Sequence, residues 1–315
     1  MSVLSIGKHK HVELNLPPEL VERTDPLKGE FSPSSYSSSE CLRKYYYEKI
    51  LKLTSVHVKA PLVYGSGIHA AVEYFYRNCR SEELSFEEVQ INTVQAFVNY
   101  WLKYDIRGDA KRTLEGGILT ASRYCDAYRD DATQFEDADI EGKQWVPMPN
   151  GTMLQVRLDR VAADGDSVGV IDTKTSSMQL TDWYFAQYQS HVQTTLYYWT
   201  MEQLLGRCDF IMIDGIMVPP PPSGSKGLPF ARRTFMRTEH QVEEAIRSYC
   251  QRTDYLVAGL DKTDDQKMDH YYQNQSRCSD YGGCEYFQIC KHGMDHPAIG
   301  IDFKTPEMRA AGVEV

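Results

Sequence analysis

The chain has 315 residues, 42% hydrophobic and 11% aromatic, ample material for a packed core, and this excludes a disordered chain. A mean hydropathy of -0.48, 25% charged residues and no apolar run approaching about 18 residues exclude a transmembrane helix. Thirty-four Lys and Arg against 44 Asp and Glu, a formal net charge of -10, argue against a broadly basic nucleic-acid coat but leave room for a local basic channel.

The opening segment MSVLSIGKHKHVELNLPPEL has no continuous apolar stretch before a small-residue cleavage site, so a cytoplasmic location is expected. Residues 1–31, with Pro17, Pro18, Pro26 and Gly29, read as an irregular arm. FSPSSYSSSE then opens a helix, with Ser37 and Glu40 as a capping box ahead of LRKYYYEKILKL. A turn at Gly65-Ser66-Gly67 leads into IHAAVEYFYRN, where Ile68, Ala71, Val72 and Phe75 form an apolar helical face flanked by His69. Helical patterns over 85–105 and 114–135 complete a helical N-terminal lobe.

The pattern changes near residue 143. KQWVPMP, TMLQVRLDRVAAD and SVGVIDTK are short, rich in β-formers and separated by Asn150-Gly151 and Asp164-Gly165 turns. A helix over 183–206, the strand DFIMIDGIMV, four prolines at 219–222, the strand RRTFMR and a helix over 239–260 follow. No internal repeat is present, and the order suits an α/β core with a helical elaboration.

In VGVIDTK, strand alternation puts Asp172 and Lys174 on one face. If the connecting turn spans Asp164 to Ser167, Ala163 pairs with Val168 and Asp159 of LQVRLDR falls opposite Asp172. Two carboxylates and a lysine then converge. The carboxylates repel unless a divalent cation neutralises them, and oxygen ligands suit Mg²⁺ or Mn²⁺. A lysine beside that metal can orient or deprotonate the attacking water, or stabilise charge developing on a phosphate. A strand-end salt bridge is the bland alternative.

Eight cysteines in a reducing compartment argue against four disulfides. Cys79, Cys125, Cys208 and Cys250 read as core hydrophobes, which leaves Cys41, Cys278, Cys284 and Cys290. The last three stand six residues apart, unlike the short pairs of zinc sites, and four thiolates can hold a [4Fe–4S] cluster.

Six segments in order, SPSSYSSSECLRKYYYEKI, YGSGIHAAVEYF, LQVRLDRV, GVIDTKTSS, QTTLYYW and CSDYGGCEYFQIC, together resemble the PD-(D/E)xK nuclease superfamily. The likeness is to its RecB-like exonuclease branch, which includes phage exonucleases and CRISPR-associated iron–sulfur exonucleases. The resemblance implies an α/β restriction-endonuclease-like fold with a mixed central sheet, helical N-terminal lobe and C-terminal iron–sulfur staple: one nuclease domain over 32–295, then a tail over 296–315. It implies His69, Asp159, Asp172 and the Thr173 carbonyl as metal ligands, Lys174 as the catalytic lysine, and Cys41, Cys278, Cys284 and Cys290 as cluster ligands. Gln193 and Tyr197 map onto a Q-x-x-x-Y motif lining the nucleic-acid channel, beside a bland reading as a sheet-packing helix face. Arg43, Lys44, Arg157 and Arg160 are candidate phosphate contacts. The implied activity is metal-dependent exonucleolytic hydrolysis of DNA, at duplex ends or on single strands, with Mg²⁺ or Mn²⁺. A homo-oligomer or a recombination or replication protein is a further partner the resemblance allows, in a bacterial host cell if the protein is phage-encoded. Rival readings are a structure-specific endonuclease and a noncatalytic DNA-binding or assembly subunit.

Overall fold

The computed structural model describes residues 3–6, 10–13, 30–56, 58–106, 109–222, 227–280 and 283–310. None of its helices is long and apolar enough to cross a membrane, among the described residues. Residues group into two compact units, the first comprising 1–20, 58–146 and 156–245, the second 21–57, 147–155 and 246–315.

The first unit begins with helices α1 (Ala60–Asn78), α2 (Phe86–Trp101) and α3 (Leu114–Ala127). Ser85 and Glu88 form a capping box at the start of α2, and Thr113 caps α3. Gly65-Ser66-Gly67 is not a turn but lies within α1, whose start carries Pro61 in its first turn. The glycines serve packing instead. A Cβ on Gly117 would come within 1.9 Å of the Phe97 ring and one on Gly67 within 3.0 Å, so both helices close on that buried ring. Truncating such a phenylalanine to alanine costs about 3–5 kcal/mol.

Five strands follow: β1 (Glu136–Pro147), β2 (Met153–Asp164), β3 (Ser167–Ser176), β4 (Phe210–Met217) and β5 (Phe230–Phe235). β1 starts seven residues before the segment its β-formers mark. The sheet is mixed: β2 and β3 are antiparallel, β3 and β4 parallel, β4 and β5 antiparallel, and β1 pairs with β2. Val168, Val170 and Ile171 are buried along the central strand β3, which explains its continuous apolar run. The expected single helix over 183–206 is interrupted. A short helix Asp182–Ala186 and a 3₁₀ turn precede α4 (Val192–Leu205), which ends at Gly206 with φ +75°. Residues 3–6 and 10–13 pair antiparallel within the stretch expected to be irregular, and 14–29 lie outside the described residues.

In the second unit, Glu30–Phe31 pairs parallel with Met153–Leu154. The helix after it spans Pro33–Ser38 and is capped by Ser32, whose hydroxyl accepts from the Ser35 amide. The chain breaks there and restarts as Leu42–Tyr45 behind Cys41, so the expected Ser37–Glu40 box does not form. Tyr46 stacks on Tyr271 at 5.4 Å, and Tyr47 meets Tyr286 at 5.6 Å. Within the expected tail, Phe303–Lys304 pairs antiparallel with Thr54–Ser55.

Candidate active site and cysteine cluster

The β2–β3 register is the one the turn predicts, with Ala163 opposite Val168 and Arg160 opposite Ile171. The ladder stops at that last pair. Past it, the Thr173 amide donates to the Asp159 carboxylate Oδ2 at 2.9 Å rather than to a backbone carbonyl. This bond turns Asp159 toward the end of β3, where α1 brings His69. His69 Nδ1 lies 3.3 Å from Asp159 Oδ2 and 3.6 Å from Glu141 Oε1.

His69, Glu141 and Asp159 each offer one ligand atom within 4.8 Å of the others, the one such trio among the described residues. Burial of His69 disfavours its charged form, yet Asp159 and Glu141 outweigh that and raise its pKa. Glu141 is absent from the sequence reading. The available signal was the alternation of Asp137, Asp139 and Glu141, which lay ahead of the strand's expected start. Glu141 has φ +56°, in the left-handed region that favours glycine, and its other oxygen pairs with Arg157 Nε at 2.5 Å. Such a conformation at a residue with a side chain is a recurring mark of functional sites.

Asp172 is fully buried beside Lys174, whose Nζ lies 3.0 Å from Oδ1 and 2.9 Å from Oδ2. Oδ1 accepts a hydrogen bond from the ammonium, and Oδ2 meets the same ammonium as an ion pair. Burial pushes the Asp172 pKa up to about 6, with Lys174 opposing and Asp159 adding to the rise. For Lys174, burial opposes the charge, but Asp172 and Asp159 more than compensate and raise its pKa. Lys174 Nζ also donates to Gln193 Oε1 at 3.1 Å, and Gln193 Nε2 donates to the Tyr197 hydroxyl at 2.7 Å. Gln193 and Tyr197 thus orient the lysine from α4, and Tyr197 is buried.

His69, Glu141 and Asp159 together offer one imidazole and two carboxylates, a donor set that fits a hard divalent cation, whereas Asp172, expected as a further ligand, is not part of that group and pairs with Lys174. Two candidate phosphate contacts are otherwise engaged. Arg160 is 3% exposed and ion-paired with Asp137, because its side chain points into the core rather than to solvent. Arg43 donates to the carbonyls of Tyr271 at 2.7 Å and Met268 at 2.5 Å, tying the second unit together.

Within the second unit, Cys41, Cys278, Cys284 and Cys290 line one pocket with Arg43, Lys44 and Arg277. The Asn274 amide donates to Cys41 Sγ at 3.4 Å. Burial raises the thiol pKa values of Cys284 and Cys290, against the pull of Lys44 and Arg43 respectively. Of the four cysteines read as core, Cys125 and Cys208 are buried, whereas Cys79 and Cys250 are half-buried.

The family model described as the PD-(D/E)XK nuclease superfamily matches residues 30–291. The chain belongs to this superfamily. A solved structure of a candidate exonuclease from Eubacterium rectale is similar at a TM-score of 0.53 and 14% identity, covering 96% of this chain and 100% of that one. At that identity the likeness speaks to fold. The structure of SSO0001 matches at a TM-score of 0.33 and 14% identity, over 81% of this chain and 97% of that one. No curated protein sequence matches. As a superfamily member the protein is a nuclease, of a kind that uses Mg²⁺ or Mn²⁺.

Changing His69 to alanine or Glu141 to glutamine is expected to raise the Mn²⁺ concentration for half-maximal cleavage by about 10–100-fold, with little loss of thermal stability. A Mn²⁺ titration of each variant checks this. An unchanged curve for the His69 variant would return it to an ordinary surface histidine.

Proposed function

We propose that the protein is a metal-dependent DNA exonuclease acting at duplex ends or on single strands. The observation that carries this reading is the convergence of His69, Glu141 and Asp159 beside the Asp172–Lys174 pair. His69, Glu141, Asp159 and Asp172 would hold the divalent ion, with the Thr173 carbonyl as a further donor. Bound there, Mg²⁺ or Mn²⁺ supplies a Lewis acid for the phosphate and an activated water. Lys174, held between Asp172 and Gln193, presents a positive charge to the phosphate oxygens as negative charge develops on them. Tyr197 accepts from the Gln193 amide nitrogen, which leaves the amide oxygen facing the lysine. The restriction-endonuclease-like core, read as one nuclease domain over 32–295, is the scaffold for this chemistry.

A [4Fe–4S] cluster held by Cys41, Cys278, Cys284 and Cys290 is the second part of the reading, supported by their shared cavity. Its role is structural, joining a helix start near residue 41 to a segment more than two hundred residues later.

Purified protein is expected to degrade linear DNA with Mn²⁺, to leave covalently closed circles intact, and to cut neither in chelator. Time courses resolved on gels check this. Cutting of closed circles at the linear-DNA rate would replace the exonuclease reading with an endonuclease, and no metal-dependent cutting of either would point to a noncatalytic DNA-binding subunit.

A further inference from the structure

Beneath the metal-ligand trio lies a buried polar cluster of Arg160, Arg232, Asp131, Asp137 and Asp214 with Tyr76 and Tyr124. Two arginines face three aspartates there, all less than a tenth exposed except Arg232 and Asp137, which are mostly buried. Arg232 pairs with Asp131 at 2.7 Å and Asp214 at 3.1 Å. The Tyr76 hydroxyl donates to Asp131 at 2.6 Å, and that of Tyr124 to Asp214 at 2.5 Å. Burying so many charges is costly, and apolar residues would fill such a space at least as stably. Its placement offers a reason for it.

Each of the three elements that supplies a ligand to the trio also supplies a group around Arg160. α1 carries His69 and, seven residues on, Tyr76, whose ring lies 3.6 Å beneath the Arg160 guanidinium. β1 carries Glu141 and, four residues earlier, Asp137, which pairs with Arg160 Nε. β2 carries Asp159 and Arg160 itself. One small pocket is lined by His69, Glu141 and Asp159 together with Tyr76 and Arg160. The guanidinium is flat, so it stacks on the ring with one face while its edge meets a carboxylate, which a lysine ammonium cannot do.

We propose that Arg160 is a positioning residue: it braces α1, β1 and β2 against one another and thereby sets the separation of His69, Glu141 and Asp159 that determines metal affinity. This rests on the metal site proposed above. The test is direct Mn²⁺ binding to the full chain without DNA, followed by calorimetry or by the loss of the free-ion resonance signal. The variants are Arg160→Lys and Asp137→Asn, which loosens the same brace without altering Arg160. Val89→Ala, a buried position on α2 outside the cluster, serves as a control for lost stability. Arg160→Lys is expected to weaken Mn²⁺ binding about tenfold, Asp137→Asn to weaken it in the same direction, and Val89→Ala to leave it unchanged at a comparable loss of melting temperature. Wild-type affinity in whichever of the two cluster variants folds would overturn the proposal and leave the metal site standing. An unaltered protein that binds no Mn²⁺ would overturn both.

Discussion

Replacing Asp172 or Lys174 with alanine is expected to slow cleavage of linear DNA on the order of a thousandfold or more, while DNA binding in chelator changes little. The two side chains form one unit. The ammonium lies within 3.0 Å of both Asp172 oxygens, and in the proposed reaction it faces the phosphate while the carboxylate helps to hold the cation. Removing either leaves the partner buried without its counter-charge, so Asp172→Asn is the companion variant that keeps shape and an acceptor. Single-turnover cleavage with saturating Mn²⁺, paired with anisotropy binding of a labelled strand, separates the chemical step from association. An Asp172→Ala protein that cleaves at the unaltered rate would remove this site from the reaction.

Cys41→Ser carries the largest expected effect on the folded state. Anaerobically purified protein should lose its brown colour and broad visible absorbance, and melt on the order of 10 °C lower, as Cys284→Ser and Cys290→Ser also should. The proposed cluster would bind only folded protein, so losing one ligand would lose most of its linkage to folding. Cys125→Ser, fully buried in the helical core of the first unit, should keep the colour even if it melts lower. Full iron and sulfide in the Cys41 variant would mean that another cysteine completes the set; Cys250 does not line the cavity.

The β2–β3 register was legible because a two-residue period and a four-residue turn leave one register open, and the grouping of Asp159, Asp172 and Lys174 follows from it. Elimination singled out the four cysteines, but their joint role and that of His69 emerged from resemblance, since widely spaced thiols and a histidine beside an apolar helix face have little local meaning. Glu141 and Arg160 escaped for a shared reason. Their roles depend on contacts across strands and helices, which periodicity does not encode, and Arg160 looks like any surface base beside a catalytic acid. The Gly65–Gly67 misreading is of the same kind: glycine marks a turn or a close approach equally well, and the distinction rests with Phe97, some thirty residues away.

The backbone at Glu141 has a consequence for how the protein tolerates change. A side chain in the left-handed region costs about 1–2 kcal/mol, and Gly142, which would bear that conformation without penalty, stands one position too late. Fold and reaction therefore make opposed demands on one residue. Selection for heat resistance alone pulls position 141 toward glycine, and selection for turnover pulls it back to a carboxylate.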